Sequence, residues 1–115
     1  MVVDLTAEHL DAPAIRHALR YRCLPTLDGT PPRADALRAL ALETAAFEGS
    51  IYIHCAAGRG RAATFAVALL LARGLEPDAL SALARLRRAR PGVRLLPRQR
   101  RLVERLDLGS AGAPR

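Results

Sequence analysis

One short segment of the chain carries residue types that could do chemistry. In segment 51–64, IYIHCAAGRGRAAT, an apolar run ends at Cys55, and five residues separate this cysteine from Arg61. Gly58 and Gly60 lie between them, and glycine allows backbone angles that other residues resist. A glycine-rich turn between a strand and a helix directs backbone N–H groups to one point, where the helix N-terminus adds partial positive charge. The spacing therefore predicts an anion-binding loop with a thiol at its mouth.

Cys55 and Arg61 have complementary chemistry in such a loop. The thiolate is the nucleophilic form of cysteine, and N–H donors, a helix N-terminus and an arginine all stabilise it. The planar guanidinium of Arg61 can bind two oxygens of a tetrahedral anion, and its charge helps most in the transition state. The segment is not a Walker loop, because the Lys-Ser/Thr pair is absent. These residues indicate a phosphate-binding nucleophile rather than a core thiol.

The composition of the whole chain narrows the class of protein. With 115 residues, 50% of them hydrophobic and 25% charged, the sequence is typical of one globular domain. The net charge of +7 comes from arginine alone, without lysine, a bias typical of a GC-rich genome. Tryptophan is absent and aromatic residues make up 3% of the chain, so few side chains are available for nucleic-acid bases to stack on. No nucleic-acid partner is therefore expected.

The sequence lacks the patterns that are typical of a membrane span, a signal peptide or a metal site. No apolar run reaches the roughly 20 residues of a membrane span, and the first residues lack the basic region of a signal peptide. A cytoplasmic location is therefore expected. The two cysteines and three histidines show no CxxC or HxxxH spacing, so we expect no metal site, and no cofactor is predicted.

Strand-like and helix-like segments alternate along the chain. This alternation predicts an α/β fold with a small, mainly parallel sheet flanked by helices. Short runs rich in apolar or alternating residues predict strands over 2–5, 20–25 and 51–55, the second ended by Pro25. Helical spacing predicts helices near 13–19 and over 33–47, 62–73, 76–90 and 96–108. The helix that follows the loop is apolar nearly all round, which predicts that it is buried.

The loop and its surroundings resemble a known family. HCAAGRGRAAT is similar to the signature of cysteine-dependent protein tyrosine phosphatases, and most similar to compact bacterial dual-specificity phosphatases. VVDLTAE, YRCLPTLDGTPP and RRARPGVRLLPRQRRLV resemble further segments of that group in the same order. The resemblance implies a single phosphatase-like domain over 1–108, with a flexible tail over 109–115. It also implies hydrolysis of phosphate monoesters through a phosphocysteine intermediate.

The resemblance assigns a role to each candidate site residue. Cys55 would be the nucleophile, and Asp28, in the loop LPTLDGTPP, would protonate the leaving group and then deprotonate water. Other acids, Asp35, Glu43 and Glu48, fall on the predicted helix and are weaker candidates. His54 would orient and support the loop. The substrate phosphate would be bound by Ala56, Ala57, Gly58, Arg59, Gly60 and Arg61.

Two departures from the family pattern bear on activity. Family members usually carry Ser or Thr directly after the arginine, where this chain has Ala62. A lost hydrogen bond to a charged group is worth roughly 1.5–3 kcal/mol, so turnover is expected to be reduced ten- to a hundredfold. The chain also begins at about the family's third strand, which predicts a fold shortened at its N-terminus. A partner chain or a preceding segment would then complete the sheet.

Three functions agree with these residues. The first is a phosphatase that acts on phosphotyrosine proteins and, in its dual-specificity form, on phosphoserine and phosphothreonine proteins as well. The second, suggested by Ala62 and the short N-terminus, is a phosphate-binding pseudophosphatase or regulatory module. The third, suggested by Arg59 and the basic balance, is a phosphatase of phospholipids or other small phosphomonoesters.

Overall fold

A small parallel sheet forms the centre of the molecule. The computed structural model describes residues 1–7, 20–27, 29–55 and 60–108. The strands within these residues are β1 (Val2–Thr6), β2 (Tyr21–Thr26) and β3 (Tyr52–His54). Their order is β2-β1-β3, and β1 pairs in parallel with both neighbours. The predicted parallel α/β architecture is confirmed.

The central and edge strands differ as their sequences suggest. Every residue of β1 is buried, as expected for a parallel strand with neighbours on both sides. β2 lies at an edge of the described sheet and continues to Thr26, one residue beyond the predicted end at Pro25. Pro25 is exposed, and a proline is tolerated on an edge strand because no neighbour needs its missing N–H.

Four helices surround the sheet in the described part of the chain. They are α1 (Ala34–Ala45), α2 (Gly60–Ala72), α3 (Ala79–Ala89) and α4 (Pro97–Arg105). All four lie where helical spacing predicts them, with ends that differ by a few residues. The helix predicted near 13–19 and the tail predicted over 109–115 lie outside the described residues. None of the described helices is long and apolar enough to cross a membrane.

Helix α2 occupies the middle of the domain. It contacts the other three helices as well as β1 and β3, and Phe65, Val67 and Ala68 are fully buried. Its C-terminus closes in a Schellman motif, in which the N–H of Leu75 donates to the carbonyl of Leu70. Gly74 provides the left-handed residue of that motif with φ of 68°. The predicted burial of this helix is confirmed.

Candidate active site

The candidate site lies where β2 and β3 end and α2 begins. Parallel strands have their carboxyl ends at one edge of the sheet, and that edge is where α/β proteins bind ligands. Cys55 follows β3 directly, while Thr26 is the last residue of β2. The Nη1 of Arg61, in the first turn of α2, donates to the carbonyl oxygen of Thr26 at 2.7 Å. The fold therefore brings three separate segments together at this edge.

The sulfur of Cys55 lies at the N-terminus of α2. The backbone N–H of Ala62 donates to Cys55 Sγ at 3.4 Å. This N–H belongs to the first turn, whose amides have no partner within the helix. Cys55 is 8% exposed, so its thiol is in contact with few solvent molecules and close to the positive end of the helix dipole.

Arg61 is a buried cation at the same edge. The residue is 2% exposed, although arginine is rarely buried without partners. The carbonyl of Thr26 accepts from one of its five N–H donors and so holds one end of the guanidinium. The helix begins at Gly60, two residues earlier than predicted, which places Arg61 inside its first turn. Arg61 and the N–H that contacts Cys55 Sγ therefore both belong to the first turn of α2.

Several predicted site residues lie outside the described residues. Asp28 and residues 56–59 (Ala56, Ala57, Gly58 and Arg59) belong to this group. The residues on either side of Asp28 form a turn in which the N–H and hydroxyl of Thr30 donate to the carbonyl of Leu27 at 3.1 and 2.7 Å. This turn follows Thr26, the residue that accepts from Arg61.

The competing acids on α1 have partners of their own. Glu43 accepts from Arg22 Nε at 2.6 Å, and Asp35 accepts from Arg33 at 3.0 Å. Both pairs are exposed to solvent. These contacts account for the two carboxylates as surface ion pairs. Glu48 lies beyond the end of α1.

Comparison with known proteins identifies the family. A family model described as "Swiss Army Knife protein, DSP-PTPase phosphatase domain" matches residues 1–103. The chain belongs to the cysteine-dependent protein tyrosine phosphatase superfamily. The resemblance noted in the sequence is thereby confirmed, and the chain is a phosphatase domain. A search of curated proteins found no match.

A solved structure supports the same assignment. The structure described as "Crystal structure of Tk-PTP in the active form" is similar to this phosphatase domain with a TM-score of 0.73. The two sequences are 30% identical, and the match covers 92% of this chain and 76% of that chain. The likeness extends over nearly the whole chain rather than over the cysteine loop alone.

A buried carboxylate lies beneath the site of this phosphatase domain. Asp4, on β1, is fully buried, and one of its oxygens accepts from the N–H and hydroxyl of Thr6 at 2.9 and 2.7 Å. The hydroxyl of Tyr21 donates to the other oxygen. Burial raises the pKa of Asp4, but these hydrogen bonds outweigh it, so the pKa lies below its ordinary value of 3.8. His54 Nε2 lies 3.9 Å from the same carboxylate.

The sequence analysis did not single out Asp4. A signal was present, since a lone acid within a short apolar strand is seldom buried unless it is paired. The structure brings Asp4 next to His54, the residue before Cys55, because β1 and β3 pair with Asp4 opposite His54. The ring of His54 also stacks on Tyr52, with centroids 5.3 Å apart. His54 is thus held from two sides.

Gln99 is a second residue that the sequence analysis missed. It is 1% exposed and packs against the start of α2, where a Cβ added to Gly60 would lie 2.9 Å from Gln99 Oε1. Its Oε1 accepts from the N–H of Leu96 at 2.9 Å, and its Nε2 donates to the carbonyl of Thr30 at 3.4 Å. Gln99 therefore connects α4 with Thr30 and with the start of α2.

The hydroxyl of Thr64 is the nearest in sequence to position 62. This hydroxyl donates to the carbonyl of Gly60 at 2.7 Å, within its own helix, and so does not take the place of a hydroxyl at position 62.

Cys23 lies on β2 with β1 between it and β3, about 9.6 Å from β3 by the usual strand spacing. A disulfide needs Cα atoms closer than about 7 Å, which argues against Cys23 as a redox partner of Cys55. The described residues contain no cluster of three or more His, Cys, Asp or Glu able to hold a metal ion.

Proposed function

We propose that this phosphatase domain hydrolyses phosphate monoesters of phosphotyrosine, phosphoserine and phosphothreonine proteins, with Cys55 as the nucleophile. The observation that carries the proposal is the 3.4 Å contact between the N–H of Ala62 and Cys55 Sγ, beside the buried Arg61. A sulfur held at a helix N-terminus is stabilised as a thiolate. The same helix end, with a guanidinium next to it, attracts the phosphate of the substrate.

The first step would transfer the phosphoryl group to the enzyme. The Cys55 sulfur forms a bond to phosphorus while the bond between phosphorus and the leaving oxygen breaks. The carboxyl group of Asp28 gives its proton to that oxygen, so that a neutral alcohol or phenol leaves. Arg61 and the backbone N–H groups of residues 56–61 hold the equatorial oxygens, whose charge is stabilised most in the transition state.

The second step would release phosphate. A water molecule attacks phosphorus as the bond to sulfur breaks, and the Asp28 carboxylate takes the proton from this water. Inorganic phosphate leaves, and Cys55 returns to the thiolate. The described residues on either side of Asp28 support this assignment, because the carbonyl of Thr26 accepts from Arg61 and the carbonyl of Thr30 accepts from Gln99.

Turnover of p-nitrophenyl phosphate tests the proposal. We expect Cys55→Ser to remove turnover, while the control Cys23→Ser retains it. Asp28→Ala should lower kcat by about 10²–10⁴, while Asp35→Ala, which removes an exposed acid of α1, should not. Mass spectrometry of rapidly quenched reactions should find a phosphoryl adduct on the peptide that contains Cys55. Wild-type turnover no higher than that of Cys55→Ser would refute the proposal.

A phosphate-binding pseudophosphatase is the second candidate, and Ala62 is the observation that favours it. No hydroxyl is present at position 62 to assist breakdown of the intermediate, and the hydroxyl of Thr64 is directed to Gly60. Tight binding of vanadate without turnover of p-nitrophenyl phosphate or of a phosphopeptide would favour this candidate over the enzyme.

A further inference from the structure

A groove runs between α4 and the start of α1. Its volume is about 460 Å³. Three arginines of α4 line it together with small and aliphatic side chains: Ala34, Arg98, Arg101, Leu102, Arg105 and Leu106. We call this surface the arginine groove. It combines an aliphatic floor with a cationic rim.

The three arginines form one stripe on the surface of α4. Arg98, Arg101 and Arg105 are spaced by three and four residues and therefore share a face of α4. All three are exposed, and none forms an ion pair with another described residue. Like charges at this spacing destabilise an isolated helix by a few tenths of a kcal/mol each. A ligand that supplies negative charge along the stripe would remove this repulsion.

Two charged residues near the groove are paired elsewhere. Arg100, on another face of α4, pairs with Glu104 at 3.1 Å. Asp35, the acid next to Ala34 in the groove wall, pairs with Arg33 at 3.0 Å. Neither of these carboxylates pairs with an arginine of the stripe.

The stripe begins next to Gln99, the residue that packs on the start of α2. Arg98 precedes Gln99, whose side chain packs on Gly60 at the start of α2. A helix rises about 1.5 Å per residue, so Arg105 lies roughly 10 Å further along α4 than Arg98. An extended peptide covers about 10 Å in three residues. A peptide that runs along the groove from the end near the start of α2 would thus pass all three arginines within a few residues.

We propose that the arginine groove binds an acidic segment of the phosphoprotein substrate, close in sequence to the phosphorylated residue. The inference rests on the proposed phosphatase function and adds a substrate class to it. Carboxylates of Asp or Glu match the planar guanidinium and form two parallel hydrogen bonds with it. The aliphatic parts of their side chains would contact Leu102 and Leu106 on the floor.

Phosphotyrosine peptides that differ only in flanking charge test this inference. Three Glu residues are placed before or after the phosphotyrosine, and three Gln residues replace them in the neutral peptides. For the wild-type protein at low salt we expect kcat/KM to be about tenfold higher for the acidic peptide on one side, chiefly through KM, since each exposed pair contributes modestly. This preference should decline in 0.5 M salt because exposed charges are then screened.

Two double variants with the same loss of charge separate the groove from the general field of the protein. The combination of Arg101→Gln and Arg105→Gln should reduce the preference to about twofold or less. The control combination of Arg88→Gln and Arg94→Gln removes two exposed arginines outside the groove and should retain the preference. An equal loss in both double variants would overturn the inference.

The outcomes also separate this inference from the proposed function. Turnover of p-nitrophenyl phosphate with equal kcat/KM for acidic and neutral peptides would refute the groove alone. If turnover is absent, the proposed enzyme fails, and fluorescence anisotropy of the labelled acidic peptide with Cys55→Ser still decides about the groove. Binding to anionic lipid vesicles that depends on Arg101 and Arg105, without any peptide preference, would assign the groove to a membrane surface and overturn the inference.

Discussion

Replacing Gly60 by alanine tests how closely α4 approaches the anion loop. A Cβ at position 60 would lie 2.9 Å from Gln99 Oε1, 3.0 Å from Nε2 and 3.4 Å from Cδ, whereas non-bonded carbon atoms prefer about 3.5–4.0 Å. The amide is the far end of a side chain that could otherwise turn away. Here it is 1% exposed and accepts from the N–H of Leu96 at 2.9 Å, so it cannot move without losing this bond.

The expected cost of Gly60→Ala follows from these contacts. Overpacking a filled interior costs about 1–3 kcal/mol, and a lost hydrogen bond adds about 0.5–1.5 kcal/mol. The helix propensity of alanine offsets up to about 1 kcal/mol, but less at Gly60, the first residue of α2. We expect the free energy of unfolding to fall by about 2 kcal/mol.

Urea unfolding of four variants measures this effect. Gly92→Ala is the matched control, because no heavy atom lies within 4 Å of a Cβ at Gly92, and we expect it to change stability by less than about 0.5 kcal/mol. Gln99→Ala removes the obstructing amide, so the double variant Gly60→Ala with Gln99→Ala should be more stable than the sum of the single effects by about 1–2 kcal/mol. Additive effects, or a Gly60→Ala protein as stable as the control, would refute the close approach.

Three further variants test the site. Ala62→Ser should raise kcat for p-nitrophenyl phosphate about ten- to a hundredfold, because its hydroxyl can donate to Cys55 Sγ and is worth roughly 1.5–3 kcal/mol; an unchanged kcat would contradict this reading of position 62. Arg61→Lys retains the charge but loses the planar fork, so isothermal titration should show vanadate binding weakened at least tenfold, and unaltered affinity would argue against Arg61 as the phosphate ligand. Asp4→Asn should lower the free energy of unfolding at pH 7 by about 2 kcal/mol. Because the pKa of Asp4 is lowered by folding, its contribution is present above pH 3.8 and lost below it, so the difference between variant and wild type should shrink in acid, and a difference independent of pH would contradict it.

The strand–loop–helix segment was predictable because its signals are local. The apolar run before Cys55 and the apolar helix after it are visible in the sequence, and the chain itself sets the number of residues between Cys55 and Arg61. The predicted start of α2 at Ala62 was late by two residues. Glycine is a weak helix former, so Gly60 reads as part of the loop, whereas close packing with Gln99 holds it in the helix.

The surroundings of the site were not predictable in the same way. Asp4 and Tyr21 meet because β1 and β2 pair in parallel, and their hydrogen bond joins residues that are 17 positions apart. Gln99 reads as one polar residue in an arginine-rich helix, yet its side chain is buried. Neither residue type nor spacing indicates which distant backbone a buried amide or carboxylate contacts.

The sequence by itself determined which family the chain resembles and predicted the chemistry of segment 51–64, since a cysteine, two glycines and an arginine at this spacing indicate a phosphate-binding nucleophile. Only the tertiary structure decided what holds these groups in place. The carbonyl of Thr26 on Arg61 and the amide of Gln99 beside Gly60 depend on how α2 packs between the sheet and α4. Such contacts join distant parts of the chain, and their partners are selected by the packing of whole elements rather than by local residue patterns.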